Sequence, residues 1–325
     1  MPTGSYFEQL DSRESPENGR GGACRKTIGR FSQSLLSWRR VSVLEILRDA
    51  FGSFADVPRT KAVFSSKRFD PDGCFVAEEN GVPIGWLAVT SLPRDKWFVI
   101  RYLSIRRARL QTTVGERLLS RAITYVESKG QEFLRATAPA IQPYVDAYQK
   151  FGFKPLRRDF RIIWQVEDIP QTGDPWLETE EVSEETMDRA GNIFVRALSP
   201  YWDWRTEEEG GIVAVADSFK EDRSRGARWI LASLDNEPVG LVGIIPDYYE
   251  PGVAWFRGAF VLPEHRGKRV GSALMSKIST FAKTLGQRRM IVYTFSYLDS
   301  LAPGALLYLK TGGKIEAEFL QLARN

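Results

Sequence analysis

Apolar positions along this 325-residue chain follow two periods. Val43, Leu44, Ile46, Leu47 and Phe51 recur every three to four residues, as do Leu118, Leu119, Ile123 and Val126 within 114–126. That spacing predicts amphipathic helices. Between them, short runs dense in apolar residues predict strands over 74–77, 83–89 and 97–105, the first two joined by a hairpin turn at Glu78-Glu79-Asn80-Gly81. A strand over 133–136, a helix over 143–151 and a closing strand over 160–165 complete this series. Residues 1–37, rich in Gly, Ser, Arg and Glu, lack such periodicity and predict a flexible tail. Residues 166–176 carry two prolines, a glycine and acids, and predict a linker.

Beyond the linker the order returns. A helix is predicted over 186–198, strands over 229–233 and 239–245 flanking a turn at Leu234-Asp235-Asn236-Glu237, and a strand over 255–262. A loop and helix follow, then a strand over 289–295, a helix over 303–310 and a last strand over 315–322. The repeat is visible in residues as well. FVAEENGVPIGWLAV answers WILASLDNEPVGLVGII, VGERLLSRAITYVESKG answers VGSALMSKISTFAKTLG, and AYQKFGF answers LYLKTGG. Gly85, Gly115 and Tyr148 thereby pair with Gly240, Gly271 and Tyr308 at offsets of 155, 156 and 160 residues. Near-constant offsets predict two tandem copies of one domain, at 38–168 and 177–325, with 169–176 between them.

Composition narrows the chemistry. Hydrophobic residues make up 43% and charged residues 26%, ordinary for a globular protein, and the net charge of +4 is too small to argue for nucleic acid. No apolar run approaches a membrane span, and the polar N-terminus lacks a secretory signal core, so no membrane association and a cytoplasmic location are expected. Two cysteines, Cys24 and Cys74, give neither a disulfide framework nor zinc spacing, and no metal is expected. A single histidine, His265, excludes two-histidine zinc sites and makes a Ser-His-Asp triad improbable.

Candidate chemistry concentrates at 261–281, VLPEHRGKRVGSALMSKISTF. The preceding strand stops at Pro263, the basic loop Arg266-Gly267-Lys268-Arg269-Val270-Gly271 follows, and Ala273, Leu274, Ile278 and Phe281 open a helix. A tight loop entering a helix presents backbone N–H groups without internal partners, together with the positive end of the dipole, and so binds phosphate. Arg266, Lys268 and Arg269 add charge.

This loop resembles the acyl-CoA loop of the GCN5-related N-acetyltransferases, Gln/Arg-x-x-Gly-x-Gly/Ala, and 305–313 (ALLYLKTGG) resembles that family's Ala-x-x-x-Tyr-x-x-x-Gly-Phe landmark. Arg269 departs from the pattern, standing where the family has its middle glycine. The first copy departs further. Aligned on Val114-Gly115, its loop reads Leu110-Gln111-Thr112-Thr113-Val114-Gly115, without the leading Arg, the first Gly or the Lys; Arg106, Arg107 and Arg109 remain nearby.

The resemblance implies an α+β fold (α/β three-layer): two tandem GNAT-like acyl-CoA N-acyltransferase domains, each a mixed, mainly antiparallel sheet flanked by helices, the first with a degenerate CoA loop. It implies transfer of an acetyl group from acetyl-CoA, the co-substrate, to a primary amine on a small molecule or protein. Val261, Arg266, Gly267, Lys268, Arg269, Val270, Gly271 and Ser272 would hold the CoA, and Tyr308 would donate to the departing thiolate. The general base is not evident: the position bearing a strand carboxylate in some relatives falls near Trp255, leaving Asp247 and Glu250 through water, or His265. Ser199-Pro200-Tyr201-Trp202-Asp203-Trp204-Arg205 would form an aromatic acceptor wall or ordinary helix packing, and Glu207-Glu208-Glu209 an amine-attracting patch or a solvated face. A non-catalytic acyl-CoA-binding or sensing protein is the alternative, with nucleic-acid binding through the basic 94–109 stretch a distant third. The oligomeric state stays open, a homodimer among the arrangements.

Overall fold

A computed structural model describes residues 26–30, 36–52, 55–65, 68–172, 177–208 and 210–324. Residues 1–25 of the predicted tail (Cys24 among them), 173–176 of the predicted linker and Glu209 lie outside these. The chain forms two compact units: 1–156 together with 320–325, and 157–319.

In the first unit, β1 (Lys26–Arg30) pairs antiparallel with β2 (Phe69–Glu79), from Lys26 opposite Glu79 to Arg30 opposite Phe75. The end of the predicted tail is therefore a strand, held by backbone pairing that leaves no periodic trace in KTIGR. Two helices intervene, α1 (Leu36–Phe51) and α2 (Val57–Phe64). Sequence periodicity missed α2, but its start is locally encoded. The Asp56 side chain accepts the Arg59 N–H at 3.0 Å and Pro58 sits in the first turn. Then follow β3 (Val82–Ser91), β4 (Trp97–Ile105), α3 (Val114–Ser128), β5 (Phe133–Pro139) and α4 (Gln142–Lys150). The strands run β1-β2-β3-β4-β5, antiparallel except for the parallel β4–β5 pair. Trp86, Leu87, Leu118, Leu119 and Tyr148 are fully buried in one core.

The strand over 160–165, expected to close this series, does otherwise. It belongs to β6 (Lys154–Gln165), which pairs antiparallel with a strand of the second unit, β11 (Arg289–Ser296), from Arg289 opposite Gln165 to Ser296 opposite Arg158. Its apolar residues Phe160, Ile162 and Trp164 pack into that unit's core. Pairing partner is a tertiary choice, and hydrophobic alternation does not encode it.

The second unit continues with β7 (Glu178–Glu181), α5 (Met187–Arg196), α6 (Asp203–Glu208), α7 (Ile212–Ser224), β8 (Arg228–Leu234), β9 (Glu237–Glu250), β10 (Val253–Val261), α8 (Val270–Thr284), β11, α9 (Pro303–Lys310) and β12 (Lys314–Arg324). Strand order is β12-β6-β11-β10-β9-β8-β7. One core gathers β6, β10, α8 and α9 residues, and another gathers α5, α7 and β8 residues around Phe194, Phe219 and Trp229. The predicted linker is tied down where it is described: Gln171 accepts from Ser276 and Thr280 of α8 at 3.2 and 3.1 Å.

The two units repeat their packing atom for atom at one position. A Cβ on Gly85 would stand 3.0 Å from Val114 and 3.2 Å from Leu118; on Gly240 it would stand 3.5 Å from Val270 and 2.9 Å from Leu274. Each glycine thus lets the helix after the loop settle against the hairpin. Both units also carry a register shift in the matching strand pair, between Trp86 and Ala88 opposite β4 and between Phe256 and Gly258 in β10. Among the described residues no helix is long and apolar enough to cross a membrane.

Candidate active site

Strands β10 and β11 pair in parallel only from Val253 opposite Arg289 to Trp255 opposite Ile291. The irregularity at Phe256–Gly258 follows at once, with Gly258 at φ +119°, a conformation that L side chains rarely adopt. A bulge bends its strand, and here β10 leaves β11. Val261 ends the strand, a short 3₁₀ turn over Pro263–His265 redirects the chain, and the loop runs into α8.

The loop's backbone carries the informative feature. Among the described residues, none of the N–H groups of residues 267–272 (Gly267, Lys268, Arg269, Val270, Gly271, Ser272) donates to a protein acceptor; the next, that of Ala273, donates to Arg269 at 3.1 Å. No side chain caps α8. Gly267 and Arg269 both have positive φ, +76° and +65°. Arg269 therefore adopts the left-handed conformation natural to the glycine it replaces, at a cost of about 1–2 kcal/mol for a residue with a Cβ. Gly271 has a different role. It lies within α8, and a Cβ there would stand 3.0 Å from Leu307 of α9.

The first unit's corresponding turn bonds part of its backbone within itself, at Thr112 and Val114, while Leu110 matches Arg266, whose N–H donates to Pro263 at 3.3 Å. Leu110 N–H donates to Arg107 at 3.3 Å, Thr112 N–H to Arg109 at 3.0 Å, and Val114 N–H to the Thr112 hydroxyl at 3.4 Å. Two of the three cations beside it are engaged: Arg109 forks onto Glu79 at 2.9 and 2.5 Å, and Arg106 donates to the Pro83 carbonyl at 2.8 Å, while Arg107 is exposed.

The basic side chains of the second loop divide. Lys268 and Arg269 are exposed. Arg266 turns inward, donating to the carbonyls of Val261, Ala197 and Ser199 at 3.1, 2.8 and 2.9 Å, and its guanidinium lies 5.1 Å from the Tyr201 ring centroid. Its Nε and Nη2 are taken by three carbonyls, which join the loop to the segment after α5, while Nη1 makes no hydrogen bond to a described residue. His265 lies in the 3₁₀ turn, half-buried.

Tyr308 reaches from α9 to the bulge. Its hydroxyl accepts the Ala259 N–H at 3.1 Å and keeps its own proton for another acceptor. Trp164 and Phe256 pack edge-on against its ring, and the side chain is 5% exposed. Burial pushes the phenol up to about 12, with the Ala259 N–H pulling more weakly the other way. It is therefore a protonated donor at neutral pH. In the first unit the matching Tyr148 is completely buried with its hydroxyl unpartnered, and Tyr144, one turn earlier, accepts the Ile105 N–H at 3.2 Å. Gly304 stands one turn before Tyr308, where Tyr144 stands before Tyr148, so the second unit has no such side chain there.

The candidate bases at the β9–β10 turn are committed to it. The Asp247 carboxylate accepts from Gly252 N–H at 2.7 Å and Gln287 at 3.0 Å, and the Gly252 bond, chiefly, holds its pKa below the usual carboxylate range. Glu250 pairs with Arg289. Trp255 packs on Tyr248 and under Arg257, as expected of a residue that takes no proton.

The aromatic segment forms a wall. Trp202 and Trp204 stack at 5.4 Å, and both meet Phe295 of β11 edge-on, at 4.7 and 5.7 Å. Of the acid run, Glu207 is exposed and Glu208 is buried beside Arg157.

Comparison with known proteins follows this geometry. The model described as the acetyltransferase (GNAT) family matches residues 40–153 and again 187–301. A GCN5-related N-acetyltransferase from Sphaerobacter thermophilus superposes with a TM-score of 0.70 at 13% identity, over 92% of this chain and 95% of that one. A tandem GNAT protein from the clavulanic acid biosynthesis pathway gives 0.66 at 14% identity, over 93% and 98%. A GCN5-related N-acetyltransferase from Kribbella flavida gives 0.53 at 14%, over 84% and 96%. At such identities the likeness speaks for the fold. No curated protein sequence matches.

Proposed function

The chain belongs to the GNAT acetyltransferase family, as a tandem member, and from that premise we propose that its second unit moves an acetyl group from acetyl-CoA to a primary amine. One observation carries this reading: the unbroken run of unpaired N–H groups at 267–272, where the first unit's loop bonds those of Thr112 and Val114 within itself. N–H groups at a helix start that no protein acceptor takes are open to water or to an anion, and the diphosphate of acetyl-CoA is such an anion. Lys268 and Arg269 supply charge beside them, and in this reading Val261 together with Arg266 through Ser272 holds the cofactor.

In this reading the pantetheine arm enters where β10 and β11 part, bringing the thioester toward Tyr308. The amine attacks the acetyl carbonyl carbon, the C–S bond breaks, and the thiolate takes a hydrogen bond or proton from Tyr308. With Asp247 and Glu250 holding the turn, solvent is the simplest destination for the amine proton. The first unit serves as a structural or acceptor-shaping half.

Calorimetric titration of acetyl-CoA into the full chain, with thioester consumption over a panel of amines, tests this. One equivalent bound and turnover with at least one amine is expected. Binding without turnover would favour the acyl-CoA sensor, and absence of binding would overturn the reading.

A further inference from the structure

Arg157, at the start of the second unit's share of β6, is a guanidinium without a hydrogen bond. Its side chain is 9% exposed, and its nearest carboxylates, Glu208 on α6 and Asp159 on β6, stand at 3.8 and 3.9 Å, near enough to attract it and too far to accept. No described residue accepts from any of its nitrogens, and Nε is enclosed without a partner. One face lies 3.3 Å from the Trp204 ring centroid. Trp204 packs with Trp202 on Phe295 of β11, and the same segment is bound to the loop through Arg266 at Ala197 and Ser199. Arg157 thus stands against Trp204 of the aromatic wall, on the strand next to β11.

Burying a guanidinium with its donors unmet is unfavourable, and natural structures keep such a group where something supplies the acceptors. Building on the acetyl-transfer reading above, we propose that Arg157 binds a carboxylate of the acceptor, whose class is an amine bearing a carboxylate on an apolar or aromatic body. The planar guanidinium, stacked on an indole, presents N–H pairs that match a carboxylate edge-on, which a lysine does not. The tryptophan pair supplies apolar surface for the body.

The test needs no turnover. Binding of L-phenylalanine, L-tryptophan, L-leucine, 4-aminobenzoate and γ-aminobutyrate, each against its carboxamide, is measured by titration calorimetry on the full chain saturated with CoA. At least one acid is expected to bind about 10-fold or more tighter than its amide. R157Q should bring that ratio to about 1 with amide affinity unchanged, and R157K should restore it only in part. Acids and amides bound alike by the wild-type protein, or not at all, would overturn the assignment even if R157Q proved unstable. So would an R157Q protein that kept the preference. Preference for the acid without acetylation of any amine would sustain Arg157's role and count against acetyl transfer instead.

Discussion

Arg269 shows how one residue carries strain into a binding loop. Its φ of +65° is glycine's territory. R269G relieves about 1–2 kcal/mol of left-handed strain but gives the unfolded chain more freedom, about 0.4–1 kcal/mol in the opposite sense. A net gain of about 0.5–1 kcal/mol is expected, read as a shift in denaturant midpoint at constant m-value. Tyr308 belongs to the same scale. Y308F should lower kcat about 100-fold while leaving the acetyl-CoA KM within about threefold, since the hydroxyl acts on the departing thiolate. Because burial raises the phenol to about 12, its protonated, donating form persists through the neutral range and is lost only as pH climbs through that value. An alkaline fall in rate near pH 8 would therefore have to come from another group, and persistence of that fall in Y308F would identify it as such. D247A, by contrast, should lower the thermal midpoint and leave turnover within about threefold; loss of turnover at full occupancy of acetyl-CoA would return Asp247 to the chemistry.

At the scale of elements, the two loop-to-helix junctions look alike in sequence and behave differently. Gly115 and Gly271 both permit close packing, the first against Ile105 at 2.8 Å from a would-be Cβ, the second against Leu307 at 3.0 Å. G115V and G271V should both destabilise, by about 1–3 kcal/mol of overpacking. Only G271V should also weaken acetyl-CoA binding, by about 10-fold or more, because the helix carrying the unpaired N–H groups is displaced; equal affinity losses would remove the asymmetry between the units. Much at this scale was legible. The helix over 303–310 begins at a proline and ends before a glycine pair, and it is found there without change. Helices α2, α6 and α7 were not, because Val57–Phe64 and Asp203–Glu208 are too short for a period to declare itself, and Ile212–Ser224 exposes Ile212 and Val213 rather than burying a clean stripe.

Across the whole molecule, the ends of the units do not follow chain order. Residues 320–325 cluster with the first unit, where Leu322 is fully buried, Gln321 accepts from Thr137 at 3.1 Å and Arg324 pairs with Glu127 at 3.1 Å. Residues 157–165 serve the second unit, where Arg158 is paired with Glu318 at 2.7 Å. L322A should therefore cost about 2–5 kcal/mol, although it lies only three residues before Asn325, and the loss should appear in hydrogen exchange of the first unit's core. A chain ending at 319 with an unchanged first unit would contradict this membership.

What the residues determined unaided was the duplicated order of elements and the basic loop that enters a helix, since period, punctuation and a fixed glycine spacing are local properties that survive without neighbours; the family came from the resemblance of that loop and of 305–313 to a known pattern. Tertiary structure decided the rest: which strand β6 joins, that Arg266 turns Nε and Nη2 to carbonyls, that the first loop bonds Thr112 and Val114 within itself, and that Arg157 is buried without a hydrogen bond. Each of these depends on what lies across from a group rather than beside it in the chain, and a hydrogen bond or a buried charge is fixed by that opposite partner.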